Sequence, residues 1–591
     1  MKRRPVKTLK SRCLTVLGPL ITRIIRKTVS NAEAAEWYGV LHGDFDLTPK
    51  SVITGQVSML KDFLWSHINC QDYDDFFLIL IQSIENAIQI TRKSFKPSSN
   101  INHYRQELDY VIAFAEVALH ENLRNLDFAD IPTSMRSVII EKMPILVNLQ
   151  SLALRSYANA AGQWLFKGVI NDIMHGMQRF RYLQTFSLKH DCTNDIIKLV
   201  CRNNTLYLTN IDIEGSKKVN DKCINNILMC LNIMELNLFQ TGLTDEGKAQ
   251  LIANLSKLTH LPRGDYLCDA LAWIPETDDD VEEPLYLIQE FFPSQKYYFH
   301  EDWQMEMVAV SCPYIHKMFF IYHEKCVVDY LILLQFNCLR ELELYGGHFF
   351  DDKVNELLQL KGQLLTKLRL TSIKGIDYRA FAFLTLSCKK LKSLTLTNCE
   401  LVEYRPIGDI NSDEEYQRRQ NYVGMAREAH DIIEEFRLEE LHINNEISNL
   451  YLVFLISRAQ YLKSISIGPK NEINDDTMLK LFLRNPLSFL EEFHVEQSDH
   501  LTFMAVTILI NNCENLRVIG DLQKWSNIDR TELSDFREAI QKENYELDTS
   551  SNQRLRKYLD LREFERKTYL NLVAGPYLER LKMLERQSHA L

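Results

Sequence analysis

Two groups of residues have side chains of the kinds that make sites. Cys312, His316, His323 and Cys326 are thiols and imidazoles, the usual ligands of zinc. They flank residues 318–320, an apolar run that reads as an extended strand. Pairs at opposite ends of one strand do not converge on one ion, so no metal is expected here and no cofactor elsewhere. The second group, Gly242-Leu-Thr-Asp-Glu-Gly247-Lys248-Ala249, nearly spells a phosphate-binding loop. Such a loop follows its Lys with a Ser or Thr hydroxyl that holds magnesium, and Ala249 stands there instead. Thr244 and Asp245 read better as a helix cap, with Leu243 and Leu251 in a core. HExxH, GxSxG and CxxC do not occur, and the other histidines are scattered singly. The sequence therefore predicts a binding protein, not an enzyme.

A recurring phrase must position whatever the chain uses for binding. Leu339-Arg-Glu-Leu342-Glu-Leu344, Leu365-Thr-Lys-Leu368-Arg-Leu370 and Leu391-Lys-Ser-Leu394-Thr-Leu396 share one pattern and follow each other at steps of 26 residues. Their last residues alternate with period two, as a half-buried strand requires. The residues between phrases suffice for a helix or turn that brings the chain back to start another strand. Such a unit cannot bury its apolar face alone, so the units must stack. This is the leucine-rich repeat. The expected fold is α/β: a repeat solenoid with a parallel concave sheet and a helical convex side, preceded by an α-helical domain.

Phrases begin at Leu149, Leu183, Leu208, Ile233, Leu258, Ile315, Leu339, Leu365, Leu391, Leu438, Leu462, Leu490 and Leu516. Most steps are 24–28 residues, with longer ones of 34, 57 and 47 after Leu149, Leu258 and Leu391. The last two mark insertions near 262–310 and 401–436 that carry acidic runs and read as solvated loops. The outward strand position holds Ser187, Asp212, Asn237, Phe319, Glu343, Arg369, Thr395, His442, Ser466 and His494. Of these, Asn237, Phe319, Glu343, Arg369, Thr395, His442 and His494 are the expected partner-binding residues of the concave face. Cysteine stands three residues before the phrase at Cys230, Cys312, Cys388 and Cys513, where a small apolar residue fits between layers. That placement resembles the cysteine-containing repeats of F-box and related ligase receptors.

The domains read as a basic N-terminal helix over 1–40, a helical domain over 41–140, repeats over 141–525 and a charged helical cap over 526–591. In the helical domain, Val57, Leu60, Phe63, Leu64 and Ile68 form one stripe, and Phe77, Leu80, Ile81, Ile84 and Ile88 a second. Tyr104, Leu108, Val111, Ile112 and Ala115 form a third. A net charge of −11 argues against a general nucleic-acid binder. The 13 cysteines are unframed and odd in number, which fits reduced thiols in the cytoplasm or nucleus. No apolar run is long enough to span a bilayer. Residues 1–32 hold nine Lys or Arg and no acid, the composition of a mitochondrial presequence. However, Gly18-Pro19 interrupts the apolar run, and no small-residue cleavage site follows.

Leu9, Cys13, Val16, Leu17, Leu20 and Ile24 fall at helical spacing on that basic segment. Within it, Thr8-Leu9-Lys-Ser-Arg-Cys13-Leu14-Thr-Val16-Leu17 resembles a BC box, the helix by which receptor proteins such as the von Hippel–Lindau protein bind elongin C. The resemblance rests on Thr8, Leu9, Cys13 and Leu17. Ile131, Pro132, Met135 and Ile139 resemble the cullin box that follows in elongin-linked receptors, including the zyg-type leucine-rich-repeat receptors. More than a hundred residues separate the two boxes here, where that family keeps them a few tens apart. The resemblance implies a substrate-recognition subunit of a cullin–RING ubiquitin ligase, whose partners are elongin C and B, a cullin and a target protein. An F-box-like receptor linked through a Skp-type adaptor, or a repeat scaffold outside the ligases, is the alternative.

Overall fold

The computed structural model describes residues 9–42, 49–68, 73–94, 101–154, 169–264, 266–274, 285–292, 302–322, 330–402, 436–543 and 547–549. They divide between two compact units, one within Val6–Arg263 with Trp273–Glu276 and the other within Gly264–Ala272 and Thr277–Leu591. No described helix is long and apolar enough to cross a membrane.

The first unit opens with helices α1 (Leu9–His42), α2 (Pro49–Ser66), α3 (Tyr73–Ser94) and α4 (Ile101–Ala113). On α3, Phe77, Leu80, Ile81, Ile84 and Ile88 are buried at the expected spacing, and α1 packs on this helix and on α2. The α2 stripe turns relative to the expected one: Ile53, Val57, Leu64 and Trp65 are inside, while Phe63 is exposed. Trp65 sets that rotation. Its indole donates to the Val117 carbonyl at 2.7 Å, and its ring stacks on His120 with Phe76 against its edge.

The same unit holds a parallel sheet of β1 (Asn125–Asp127), β2 (Ser151–Leu154), β3 (Thr185–Leu188), β4 (Asn210–Asp212) and β5 (Glu235–Asn237), ordered as in the chain. Expected repeats begin at Leu149, but the sheet starts one layer earlier. Leu123-Arg-Asn-Leu126-Asp-Phe128 is a full phrase 26 residues upstream, with all three apolar residues buried. Helix α5 (Arg136–Lys142) returns the chain from β1 to β2. Helices α6 (Val169–Met177), α7 (Asn194–Asn203), α8 (Ile224–Leu228) and α9 (Asp245–Asn254) follow. The phrase at Leu258 forms only a bridge between Glu235 and His260, because Pro262 has no N–H to continue the ladder.

The second unit is built on a nine-stranded parallel sheet, again in chain order. Its strands are β6 (Glu290–Phe291), β7 (Lys317–Ile321), β8 (Glu341–Tyr345), β9 (Lys367–Thr371), β10 (Ser393–Thr397), β11 (Glu440–Asn444), β12 (Ser464–Ile467), β13 (Glu492–Val495) and β14 (Val518–Gly520). Equivalent leucines pair directly: Leu342 with Leu368, and Leu368 with Leu394, all buried. Strand β6 lies inside the expected 262–310 insertion. Ile288 begins a repeat 30 residues after Leu258 and 27 before Ile315, so the long step is two ordinary ones. Nor does pairing stop at Trp525. After the helix Arg530–Lys542, Asp548 bridges to Val518 and extends the pairing by one more step. The rest of the expected C-terminal cap, from residue 550, lies outside the described residues.

The helices begin where the sequence offers a cap. Thr193, Thr244, Asp377, Asn474 and Thr502 each accept a first-turn backbone N–H, leaving fewer orphan donors at those helix ends. Gly242 and Gly247 also have structural reasons. A Cβ on Gly242 would lie 2.5 Å from the Lys217 carbonyl, and one on Gly247 would lie 2.4 Å from Asp221 Oδ1. Close approach of the preceding repeat accounts for both glycines.

Candidate functional site

The in-register strands place equivalent side chains beside one another, so they stack across each sheet in rows. In the nine-stranded sheet the central row runs Phe319, Glu343, Arg369, Thr395, His442, Ser466, His494 and Gly520. A second row runs Glu290, Lys317, Glu341, Lys367, Ser393, Glu440, Ser464 and Glu492. All six concave-face residues expected between Phe319 and His494 thus share a single row.

Charge changes along these rows. Over β6–β9, cations and carboxylates alternate, and Lys317 pairs with Glu290 at 2.8 Å. Over β10–β13 the two rows hold Glu440 and Glu492, hydroxyls and two imidazoles, with no cation. Burial lowers the pKa of both His442 and His494 below the ordinary value, so both rings are neutral at pH 7. Room for the buried His494 ring comes from Gly520, because a Cβ there would lie 1.7 Å from His494 Nδ1. His442 Nδ1 is buried with no hydrogen-bond partner among the described residues. Burial also raises the pKa of the Glu492 carboxyl.

On the five-stranded sheet, Asn237 belongs to a closed polar network. Its amide donates to Asp212 Oδ1 at 2.9 Å, and Ser187 Oγ donates to Asp212 Oδ2 at 3.2 Å. Lys189 Nζ lies 2.7 Å from Glu214 and 3.3 Å from Asp212, and Arg263 approaches the other Glu214 oxygen at 2.5 Å. Burial would discharge both Lys189 and Glu214, but the opposite charges outweigh it. The Lys189 pKa ends above its usual value and that of Glu214 below. Lys189, Glu214 and Arg263 were not expected as site residues. One available signal was the spacing of Lys189 and Glu214, separated by one 25-residue repeat step.

Helix α1 has two apolar faces. Ile21, Ile25, Val29 and Ala32 are buried, and the Thr22 hydroxyl lies 2.9 Å from the Ser83 carbonyl. Three residues of the expected stripe, Val16, Leu20 and Ile24, form the other face and are exposed, with Val16 at 69%. Leu9 and Cys13 lie on α1, Leu17 is half-buried, and Thr8 lies outside the described residues. The cullin-box-like residues are placed differently. Ile131, Met135 and Ile139 are at most 1% exposed, filling the first repeat around α5, and Pro132 alone of the four is half-buried. Side chains that would have to meet a cullin are therefore interior.

Of the zinc-type residues, Cys312 is in the core, with its thiol pKa pushed up to about 12 by burial. His316 directly precedes β7, and His323 and Cys326 lie outside the described residues. Burial likewise pushes Cys388 and Cys513 up to about 12, which keeps these thiols protonated and poor nucleophiles. Among the described residues, the chemistry on offer is recognition by charge, hydroxyl and neutral imidazole.

Solved structures of leucine-rich-repeat proteins resemble the chain. The crystal structure of the Rad7 and Elc1 complex in yeast aligns at 14% identity, covering 74% of this chain and 81% of that one, with a TM-score of 0.27. LegL7 from Legionella pneumophila aligns at 11% identity, covering 46% and 97%, with a TM-score of 0.26. A leucine-rich-repeat protein of Leptospira interrogans aligns at 13%, covering 77% and 99%, with a TM-score of 0.27. No family model matches the sequence, and no curated protein matches it. Strand register and repeat step, rather than these scores, carry the leucine-rich-repeat fold.

Proposed function

We propose that the chain is a non-enzymatic receptor subunit that holds a target protein on its open sheet faces and docks an elongin C-type adaptor through α1. Through that adaptor it would join a cullin–RING ubiquitin ligase. The observation that carries this reading is the double-faced α1. One apolar face anchors the helix, and the other, Val16, Leu20 and Ile24, stays exposed and continues the sequence spacing of the BC-box-like residues Leu9, Cys13 and Leu17. A helix serving only its own unit has no need of that second face. A receptor performs no bond chemistry; it raises the effective concentration of a target lysine near the conjugating enzyme. The reading takes nothing from the cullin-box-like segment, whose apolar residues belong to the first repeat.

Co-purification of the full chain with elongin B and C tests it. An anchor leucine contributes roughly 2–4 kcal/mol, so Leu9→Ser should weaken the complex about thirtyfold or more and leave the repeats folded. Failure of the wild type to capture elongin overturns the adaptor reading and leaves the repeat scaffold in its place.

A further inference from the structure

The helix-to-strand turns of the five-stranded sheet carry apolar side chains that no repeat requires. Tyr182, Leu206, Tyr207, Met229, Leu231 and Met234 are all exposed, Leu206 at 74% and Leu231 at 62%. Leu206 and Leu231 occupy the same place in successive repeats, two residues before the phrases at Leu208 and Ile233. Tyr182 and Tyr207 stand one residue before theirs, and their rings meet edge to face at 5.5 Å. The 25-residue step thus builds a strip along the edge where the strands begin. Scattered single exposures are ordinary; a laddered row spanning three turns is the pattern of a docking surface.

The charged residues within these turns are all basic, and the nearby carboxylate of Glu235, on β5, accepts a hydrogen bond from the Asn210 amide. Arg179, Arg181, Arg202 and Lys257 are exposed in these turns and the one after α9. Residues 178–184, 202–209, 227–234 and 253–259 contain no Asp or Glu, in a chain of net charge −11. The dipole of α7 explains a cation at Arg202 in its last turn. It explains neither Leu206 nor Leu231, and Arg181, which continues their ladder one repeat earlier, donates to the Gln178 and Phe180 carbonyls past α6 while its side chain stays exposed. We propose that this strip is a docking surface distinct from the open sheet faces, and that its occupant is an acidic polypeptide segment bearing apolar side chains. Leucines and tyrosines supply the apolar contact, and the flanking cations select carboxylates.

The test pans a displayed library of random dodecapeptides against the full chain, with single-stranded oligo-dT as competitor. Enriched peptides should combine Asp or Glu with Leu, Phe or Trp. Leu206→Glu and Leu231→Glu should each weaken a selected peptide roughly tenfold or more, with an unchanged melting temperature because both side chains are exposed. Arg181→Glu should weaken it too and flatten its salt dependence. Enrichment of non-acidic peptides, no enrichment, binding that survives both leucine variants, or displacement by oligo-dT would each overturn the proposal.

Discussion

Glu214 sits between Lys189 and Arg263 on the open face of the smaller sheet, and its carboxylate is held ionised by them. Removing Glu214 takes a partner from Arg263 and leaves Lys189 with Asp212, and both cations reach solvent. Glu214→Ala should therefore destabilise the first unit by about 1–2 kcal/mol, measured by urea unfolding. Because the folded pKa of Glu214 is depressed, its contribution is complete above the ordinary carboxyl value of 4.5 and is lost as pH falls through the folded value. Glu214→Gln should flatten that acid limb. His442 and His494 act at higher pH. Their folded pKa values are below 6.5, so the unfolded chain takes up protons first as pH drops. Stability of the second unit should be full above about 6.5 and decline below it, and His442→Gln with His494→Gln should remove the decline. A wild-type profile flat between pH 7 and 5 would contradict the buried neutral imidazoles.

At the scale of elements, α1 makes a sharp comparison because its buried and exposed apolar residues alternate along the helix. Ile25→Ser removes a buried side chain and should cost roughly 2–4 kcal/mol, whereas Leu20→Ser should leave the melting curve in place and weaken only adaptor capture. Equal destabilisation by both would mean that the outer face is structural. Sequence periodicity found apolar residues on this helix but not the packed arc. Leu20 and Ile24 precede Ile21 and Ile25 by one residue, about 100° of helical turn, and only tertiary contact chooses between the arcs. Strands were more legible, since a leucine at each inward position leaves one register that buries them all. The strands missed have weaker phrases. Phe128 ends the first phrase behind a long helical run, and β6 pairs over two residues beside an acidic stretch. The Ile131–Ile139 segment misled for a related reason: proline followed by spaced apolar residues is what any buried helix start shows. At the candidate site, row positions followed from register, but the Lys189–Glu214–Arg263 network needed the loop carrying Arg263.

For the molecule as a whole, two separate sheets mean that damage should stay within one of them. Leu368→Asp places an unpaired charge among buried leucines of the nine-stranded sheet and should unfold its neighbouring repeats. Amide exchange should then quicken across β7–β11 while β2–β4 keep their protection. Loss of protection in both sheets would refute that independence. The pairing of β10 with β11 has a consequence of another sort. Ser393 meets Glu440 and Thr397 meets Asn444 in unbroken register, although 47 residues separate the starts of their phrases instead of about 26. The register of that ladder is set by the pairing of Ser393–Thr397 with Glu440–Asn444 and is the same as at the joints with ordinary spacing. Such a joint is a natural graft point. A fluorescent reporter inserted between residues 403 and 435 should therefore leave the same strand register on either side, read by amide protection of β10 and β11.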